Sequence, residues 1–361
     1  MITQISMASS SGLAIAWPFT TAELTAALRR YLDDASLSVL RISEEPINAR
    51  HAIGLLRGVG IDLERAGHEE HYSYVLKEPQ ATRLGLAGAG RREVGLYRSL
   101  TSQVPLAVPE LVASDSAGAW LMLEPYPTEV QPEAWTADHY RRAVINLARL
   151  HDRFWNLSED LSAYPWLGRP LTAEFDVYVV AAAQAMELIV QRGSPAVVTN
   201  SMIWLTTLAR LLNQADVVAR VLQSAPHTLL HGDYWPGNIS IDEDGRQVVY
   251  DWQMVGVGPA VIDLVVFINN SQLWLSPLPV EPAELIELYR GEIAAHTGQT
   301  WNEQEWAIQW DFSMMWRFVQ EGFSLLALPT RLANSSHDYL LERIWLEPLD
   351  KAVYRWLKQL Q

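Results

Sequence analysis

Three side chains that carry oxygen atoms lie close together in one short part of the chain. Asp233 and Asn238 belong to the sequence HGDYWPGN at residues 231–238, and Asp251 follows Asn238 after thirteen positions. A carboxylate can accept or orient the proton of an attacking hydroxyl, and carboxylate and amide oxygens are ligands that suit Mg2+. Phosphoryl transfer requires these two functions, because the protein contributes mainly positioning and charge stabilisation to that reaction.

A predicted β-hairpin brings the three residues together. The apolar segments 239–241 and 248–250 flank the turn-forming sequence DEDG at 242–245. Asp233 then lies on the loop that precedes the hairpin, and Asp251 lies at the end of its second strand. Aspartate, asparagine, glycine and proline also occur in turns that have no catalytic role. The complete pattern, HGDxxxxN followed by an apolar strand that ends in Asp-Trp, favours the catalytic interpretation.

Lys77 is the next candidate for a functional residue. It ends the apolar run 74–76, and it is one of only three lysines in the chain. Because the chain rarely uses lysine on its surface, a lysine here suggests a specific need for a point charge. The alternative interpretation is a solvated lysine at the end of a strand.

The pattern of these residues resembles the aminoglycoside phosphotransferase and choline kinase family, whose members are relatives of protein kinases. The resemblance covers the chain from about residue 37 to the C-terminus, and its most specific motifs lie in residues 228–263. It implies a kinase that uses Mg2+ and ATP or GTP, with Asp233 as the catalytic aspartate. It also implies that Asn238 and Asp251 are the metal ligands.

The same resemblance implies roles for residues around this centre. His231 matches the histidine that braces the catalytic loop, and Asp263 matches a structural aspartate in the following helix. Lys77 matches the strand lysine that holds the α- and β-phosphates of the nucleotide. Glu93 matches the helix glutamate that pairs with this lysine.

Residues 121–126, LMLEPY, resemble the hinge between the two lobes of such kinases. The resemblance implies that backbone groups in this segment, which includes Glu124 and Tyr126, contact the nucleobase. Backbone contacts leave no side-chain signature, so ATP and GTP both stay open as co-substrates. Residues 43–50, SEEPINAR, contain no glycine where protein kinases have a glycine-rich loop. Small-molecule kinases of the family often lack that loop.

The resemblance implies an α+β, protein-kinase-like fold with two lobes, and the sequence pattern agrees with it. Short, partly alternating apolar segments predict an antiparallel sheet in the first third of the chain. A helix with an N-cap at Thr20 precedes the sheet, and a second helix is predicted at about 90–102. The predicted strands are 37–42, 51–56, 72–77, 107–111 and 120–123.

Pro125, Pro127 and Pro132 interrupt the pattern and mark a linker between the lobes. Beyond them, apolar residues recur at spacings of three and four, which predicts helices. We expect an N-terminal nucleotide-binding lobe at 1–124 and a mainly helical catalytic and substrate-binding lobe at 125–361. The predicted helices are 140–154, 174–191, 200–223, 282–296, 302–327 and 337–359.

Several residues of the helical lobe are candidates for the acceptor pocket, with core packing as the alternative for each. Glu321 and Asp311 could pair with an ammonium group, whereas His151 is predicted to be a hydrogen-bonded core histidine. Aromatic candidates are Trp235, Trp252, Trp274, Trp310 and Trp316.

Composition excludes several classes of function. The chain has 27 Lys and Arg against 42 Asp and Glu, a net charge of −15, which disfavours nucleic acid and weakly favours a cationic small molecule. It has no cysteine, which excludes disulfides, thiolate catalysis and cysteine-based zinc sites. The first twenty residues lack the basic region of a secretory signal, and no apolar run reaches the length of a membrane span. These features predict a cytoplasmic protein that does not enter the membrane.

We therefore expect a small-molecule kinase that transfers the γ-phosphoryl group of ATP or GTP to a hydroxyl of an amino sugar, an aminoglycoside, an amino alcohol or a similar metabolite. The alternative is a catalytically silent nucleotide-binding or regulatory module on the same fold. A protein kinase is disfavoured, because the glycine-rich loop and the DFG and APE motifs are missing. The acceptor and the oligomeric state stay open at this stage.

Overall fold

A five-stranded antiparallel sheet forms the N-terminal part of the computed structural model, which describes residues 16–47, 55–79, 86–126, 129–328 and 335–357. The spatial order of the strands is β1-β2-β3-β5-β4. Lys77 lies on β3, where it pairs with Leu56 of β2 and Leu121 of β5. The strands are β1 (Ser38–Glu45), β2 (Leu55–Arg65), β3 (His68–Glu78), β4 (Leu111–Ser114) and β5 (Leu121–Leu123).

Two helices accompany this sheet. Helix α1 (Thr21–Tyr31) begins with the predicted cap, in which Thr20 and Glu23 exchange hydrogen bonds as a capping box. Its buried Leu24 and Leu28 pack in a small core between the helix and the sheet. Helix α2 (Ala89–Ser99) lies in sequence between β3 and β4 and carries Glu93 on a buried position.

Strand β2 differs most from its prediction. The prediction ended the strand at residue 56, whereas β2 includes Leu55 and continues to Arg65; residues 51–54 of the predicted strand lie outside the described part of the chain. Gly58 and Gly60 interrupt the apolar pattern of β2, although they lie inside the strand. A Cβ atom added at Gly58 would lie 2.5 Å from the backbone oxygen of Glu45. One added at Gly60 would lie 2.3 Å from the Glu45 carboxylate. Glycine therefore marks the close approach of β1 here rather than a turn.

The rest of the chain is mainly helical, and a large apolar core runs through it. Two small antiparallel sheets, β6 with β9 and β7 with β8, are set into this helical part. Their strands are β6 (His227–Leu230), β7 (Ile239–Ile241), β8 (Gln247–Val249) and β9 (Gly256–Pro259). The helices are α3 (Ala137–Arg153), α4 (Ser158–Leu161), α5 (Phe175–Arg192), α6 (Ala196–Thr199), α7 (Met202–Asn213), α8 (Ala215–Gln223), α9 (Val261–Leu275), α10 (Pro282–Thr297), α11 (Glu303–Arg317), α12 (Phe323–Leu326), α13 (Ser335–Leu341) and α14 (Glu347–Trp356).

Several predicted elements have different boundaries in the structure. The predicted helix 337–359 is divided into α13 and α14 by a π-helical turn at Glu342–Leu346. The predicted helix 200–223 is two helices, α7 and α8, which meet at Gln214. The predicted helix 302–327 is interrupted by a π-helical turn at Phe318–Gly322. The predicted strand 107–111 is wrong, because β4 begins at Leu111 and Ala107 makes only an isolated bridge.

None of the helices in the described residues combines the length and the apolar character needed to cross a lipid bilayer.

Candidate active site

The loop after β6 is held by a buried aspartate on the next long helix. Asp263 of α9 accepts a hydrogen bond from the backbone N–H of His231 at 2.7 Å and from that of Gly232 at 2.9 Å. Asp263 is fully buried, and its carboxylate also lies 3.4 Å from the His151 ring, which contacts Tyr289 at 2.7 Å. His151 is therefore the hydrogen-bonded core histidine that the sequence predicted.

His231 connects the loop to the end of the hairpin. Its Nε2 lies 3.0 Å from the carbonyl oxygen of Tyr250, which can only accept, so Nε2 carries the proton and donates. Its Nδ1 accepts from the backbone N–H of Asp233 at 3.2 Å. Burial lowers the pKa of His231, which agrees with a neutral ring. The ring therefore connects Tyr250, the residue before Asp251, to the backbone of Asp233.

The carboxylate of Asp233 is bonded from two sides. The amide Nδ2 of Asn238 donates to Asp233 Oδ2 at 2.9 Å and to the Asp233 carbonyl oxygen at 2.8 Å. The guanidinium of Arg317 donates to Asp233 Oδ1 at 3.3 Å and to the Gly232 carbonyl oxygen at 2.9 Å. The Asp233 side chain keeps 23% of its surface exposed, so a ligand can reach it.

Burial raises the pKa of Asp233 to about 6. The positive charge of Arg317 opposes this rise, and the carboxylates of Asp251 and Glu321 add to it. Both carboxylates therefore lie close enough to Asp233 to act on its charge. A carboxylate with a pKa near neutrality can take up and release a proton under ordinary conditions.

Asp251 occupies a special backbone position at the end of the hairpin. The predicted hairpin is confirmed, with β7 and β8 paired from Ile239 with Val249 to Ile241 with Gln247. Asp251 follows with φ 64° and ψ 54°, a left-handed conformation that aspartate and asparagine tolerate better than other non-glycine residues. This turn directs the chain into a short 3-10 helix, Trp252–Met254.

Lys77, Glu93 and Asp251 meet in one buried ion cluster. Nζ of Lys77 lies 2.7 Å from Glu93 Oε2 and 2.5 Å from Asp251 Oδ1. Burial acts to lower the pKa of Lys77, but the two carboxylates outweigh it and raise that pKa above its ordinary value. Burial and the neighbouring Asp251 raise the pKa of Glu93 above its ordinary value, against the effect of Lys77. The cluster joins the sheet, α2 and the hairpin at one point.

The described residues could supply part of the oxygen ligands of a Mg2+ ion, with phosphates and water as the others. No group of three His, Cys, Asp or Glu side chains suited to a metal occurs among the described residues. Asn238 uses its Nδ2 group toward Asp233, which leaves the amide oxygen as its possible ligand atom. Mg2+ is usually bound by one or two protein oxygens together with phosphates and water. Asn238 and Asp251 are side chains of the kinds that supply such oxygens, and their role as ligands stays a prediction.

The predicted hinge residues Glu124 and Tyr126 follow β5 directly. The N–H of Glu124 donates to the carbonyl oxygen of Glu110 at 3.0 Å, and the Glu124 carboxylate accepts a hydrogen bond from the hydroxyl of Tyr31. The Tyr126 ring stacks on Tyr250 with centroids 4.2 Å apart, so it touches the residue that precedes Asp251. The nucleobase contact of these two residues stays a prediction.

Two arginines of the site escaped the sequence prediction. Arg317 comes from α11, more than eighty positions after the loop that it contacts. Arg92 lies next to Glu93 and is buried; its Nε donates to the Gln253 carbonyl oxygen at 3.0 Å and its Nη1 to Glu174 at 2.9 Å. The position of Arg92 beside the predicted glutamate was a usable signal, whereas no local motif surrounds Arg317.

The candidates for the acceptor pocket divide into two groups. Trp252 and Trp316 are fully buried and belong to the core. Asp311 accepts hydrogen bonds from Arg355 at 2.9 Å and from Trp356 at 2.7 Å, so it joins α11 to α14. Glu321 is partly buried, and its carboxylate contributes to the raised pKa of Asp233.

Asp263→Ala is expected to lower the free energy of unfolding by about 2–4 kcal/mol, because two buried backbone N–H groups lose their acceptor. Urea denaturation followed by tryptophan fluorescence measures the change. Asp242→Ala is the matched control, since Asp242 also accepts from two backbone N–H groups, at 3.1 and 2.8 Å, but in an exposed turn. Water can replace that acceptor, so the control should lose much less stability. Equal losses would contradict the role given to Asp263.

The chain is similar in sequence to one known family and in fold to several solved kinases. The sequence model of the phosphotransferase enzyme family matches residues 64–301, about two thirds of the chain. None of the curated protein sequences compared with the chain is significantly similar to it.

Three solved structures share the fold at low sequence identity. A thermostable mutant of aminoglycoside phosphotransferase APH(4)-Ia, in a ternary complex with ADP and hygromycin B, has TM-score 0.51 and 16% identity and covers 94% of this chain and 100% of its own. Amicoumacin kinase in complex with AMP-PNP and Ca2+ has TM-score 0.52 and 16% identity, covering 92% and 96%. Choline kinase LicA from Streptococcus pneumoniae has TM-score 0.51 and 13% identity, covering 90% and 98%.

These likenesses confirm the predicted α+β, protein-kinase-like fold with an antiparallel sheet followed by a mainly helical lobe. They also agree with the family match, which begins in β2 and extends past α10. The chain belongs to the phosphotransferase enzyme family.

Proposed function

We propose that this chain is a small-molecule kinase that transfers the γ-phosphoryl group of ATP or GTP to a hydroxyl of an amine-bearing metabolite, such as an amino sugar, an aminoglycoside or an amino alcohol. The observation that carries the proposal is the meeting of Lys77, Glu93 and Asp251 beside Asp233 and Asn238. A cation, a base and two metal-ligand candidates are the parts that phosphoryl transfer requires.

In this proposal Asp233 orients the acceptor hydroxyl and takes its proton. The hydroxyl oxygen forms a bond to the γ-phosphorus while the bond from that phosphorus to the β,γ-bridging oxygen breaks, and the nucleoside diphosphate leaves. The Asp233 carboxylate can do this because Asn238 and Arg317 hold it in one orientation and 23% of its side chain stays accessible. Holding a base in a reactive geometry is itself a large part of catalysis.

Lys77 and the metal ligands act on the phosphate side. Asn238 and Asp251 would hold Mg2+, which offsets phosphate charge and orients the phosphates when bound. Glu93 fixes Lys77 through the 2.7 Å contact, so that its ammonium group is in place for the α- and β-phosphates. We further propose that residues 1–124 act as the nucleotide-binding lobe and residues 125–361 as the catalytic and acceptor-binding lobe.

The charge around Asp233 supports an acceptor that carries an amine. Glu321 adds a second carboxylate near Asp233, and the chain as a whole carries a net charge of −15. A protonated amine would be attracted to Glu321 while the hydroxyl of the same molecule reaches Asp233. A neutral polyol could donate a hydrogen bond to Glu321 but would lack this attraction between opposite charges.

Glu321→Gln is expected to raise KM for an amine-bearing acceptor roughly tenfold, because one charge-assisted contact is worth about 1.4 kcal/mol or more. The KM for the nucleotide should stay the same, since Glu321 acts on the acceptor side. Initial rates measured against acceptor concentration give both constants. An unchanged KM for the amine-bearing acceptor would contradict the role of Glu321.

The central experiment measures release of ADP and GDP with Mg2+ against a panel of acceptors. Hygromycin B, choline and an uncharged monosaccharide cover the chemical classes considered. Acceptor-dependent release, followed by mass spectrometry of the phosphorylated product, would support the proposal. Tight nucleotide binding without release on any acceptor or on water would indicate a silent nucleotide-binding module instead.

A further inference from the structure

We infer that Arg317 is a positioning residue of the phosphoryl transfer: its guanidinium holds both the peptide before Asp233 and the Asp233 carboxylate from the side of the helical lobe. The inference rests on the proposed function, because it assigns a task within that reaction. It concerns a residue outside the sequence motif that predicted the site.

The guanidinium of Arg317 makes two hydrogen bonds among the described residues, and both are made to the loop that carries Asp233. Arg317 is 6% exposed, its Nη1 lies 2.9 Å from the Gly232 carbonyl oxygen, and its Nη2 lies 3.3 Å from Asp233 Oδ1. A buried guanidinium needs acceptors for its charge, and both acceptors identified here belong to the catalytic loop. The main contacts of this side chain are thus made to the base and to the residue before it.

Arg317 completes a set of restraints on the loop. Asp263 accepts the N–H groups of His231 and Gly232, and Arg317 takes the Gly232 carbonyl oxygen. Gly232 itself has φ 83°, and a Cβ atom there would lie 2.3 Å from the Met254 carbonyl oxygen. The peptide groups that lead into Asp233 are therefore fixed through both their donors and their acceptor.

The carboxylate is restrained in the same way. Oδ1 of Asp233 accepts from Arg317, and Oδ2 accepts from Asn238. The plane of the carboxylate is therefore set by two donors that lie far from each other in the sequence. A carboxylate oxygen can accept about two hydrogen bonds, which leaves each oxygen able to accept an incoming hydroxyl. The base is held without being blocked.

The helix geometry at Arg317 supports a functional role for this residue. Arg317 is the last residue of α11, and the π-helical turn Phe318–Gly322 begins directly after it. Its neighbours Met315 and Trp316 are fully buried, so the helix end is anchored in the core. Departures from α-helical winding are frequent at functional sites, and this one begins where the guanidinium leaves the helix.

Arginine suits this task better than lysine does. The planar guanidinium offers two parallel N–H donors, one for the carbonyl and one for the carboxylate, whereas an ammonium is a single point of donation on a flexible stem. Arg317→Lys should therefore keep the charge and lose the orientation. That difference separates a positioning role from a purely electrostatic one.

The test uses the full chain, the acceptor with the highest rate in the panel and steady-state kinetics. Arg317→Ala is expected to lower kcat roughly 100-fold, the effect of a small misplacement of reacting groups, with nucleotide KM changed less than about threefold. Millimolar methylguanidinium should restore at least a tenth of the lost activity to this variant, because it can occupy the vacated site. Arg317→Lys should lower kcat by at least roughly tenfold at unchanged nucleotide KM.

Arg290→Ala is the matched control. Arg290 also donates to one backbone oxygen, that of Trp301 at 2.9 Å, and to carboxylates, those of Glu287 at 2.8 Å and Glu303 at 3.2 Å, but on α10 away from the loop. This variant should keep its kcat and show no response to methylguanidinium.

Three results would overturn the inference. They are a wild-type kcat in Arg317→Ala or in Arg317→Lys, a loss of kcat that is equal in Arg290→Ala, and a folded Arg317→Ala variant that does not respond to methylguanidinium. If Arg317→Ala does not fold, Arg317→Lys decides the matter by its kcat at unchanged nucleotide KM. Absence of ADP or GDP release by the wild-type chain on every acceptor and on water overturns the proposed function, and this inference with it.

Discussion

Asp233→Asn lowers kcat on the best acceptor by roughly 10²- to 10⁴-fold, the usual contribution of a positioned acid or base, and leaves nucleotide affinity nearly unchanged. The amide has the same shape as the carboxylate, but it has only one oxygen, so it can accept from Arg317 or from Asn238 and not from both. It cannot take the proton of the acceptor hydroxyl at neutral pH. The loss should therefore fall on the chemical step and not on binding.

Product formation by Asp233→Asn is measured by coupled ADP release, and nucleotide affinity by isothermal titration calorimetry. Asp311→Asn is the matched control, since Asp311 is also held by an arginine, Arg355 at 2.9 Å, and by a second side-chain N–H, that of Trp356 at 2.7 Å. The control should keep kcat within about twofold, because conservative changes away from the reacting groups have small effects. Full activity in Asp233→Asn would remove Asp233 from the mechanism.

Asp251→Asn is expected to raise the Mg2+ concentration needed for half-maximal activity at least tenfold, and to lower the maximal rate by roughly 10² or more. Asparagine tolerates the left-handed backbone at this position, where φ is 64°, so the fold should survive. The change removes the negative charge that a hard divalent ion prefers and weakens the 2.5 Å contact to Lys77. The effect should therefore depend on the metal concentration.

Rates measured over a series of Mg2+ concentrations test this expectation. Asp33→Asn is the control, because Asp33 is another aspartate with positive φ, 51°, and it follows α1 in a segment to which no metal-binding role is given. It should show the wild-type dependence on Mg2+. A wild-type Mg2+ dependence in Asp251→Asn itself would contradict the proposed ligand.

The residues that the sequence predicted well share one property, which is that short local patterns specify them. The hairpin followed from apolar strands on both sides of an Asp- and Gly-containing turn, and it places Asp251 near Asp233. Lys77 was conspicuous because lysine is rare in this chain. Its contact with Glu93 joins two segments sixteen positions apart, and the resemblance to a known family was needed to propose it.

The features that the sequence concealed depend on contacts between distant segments. Gly58 and Gly60 looked like a break in a strand, because the close approach of Glu45 that explains them belongs to another strand. Arg317 looked like an ordinary helical arginine, because its acceptors lie more than eighty positions earlier. The π-helical turn after it was concealed for the same reason, since its apolar residues fit an α-helix almost as well.

Arg92 ties α2 to the segment that follows Asp251, through the Gln253 carbonyl oxygen at 3.0 Å, and to the start of α5, through Glu174 at 2.9 Å. Swinging α2 outward would break both of these hydrogen bonds of the guanidinium, and since a hydrogen bond to a charged group contributes about 1.5–3 kcal/mol, the displacement costs about 3 kcal/mol or more. A penalty of about 3 kcal/mol keeps the displaced form below roughly one molecule in a hundred. Without a ligand that compensates this penalty, almost no molecules would have α2 displaced, so displacement of this helix would not regulate the activity. The rate of the reaction would then depend on the amount of this protein and on the concentrations of its substrates.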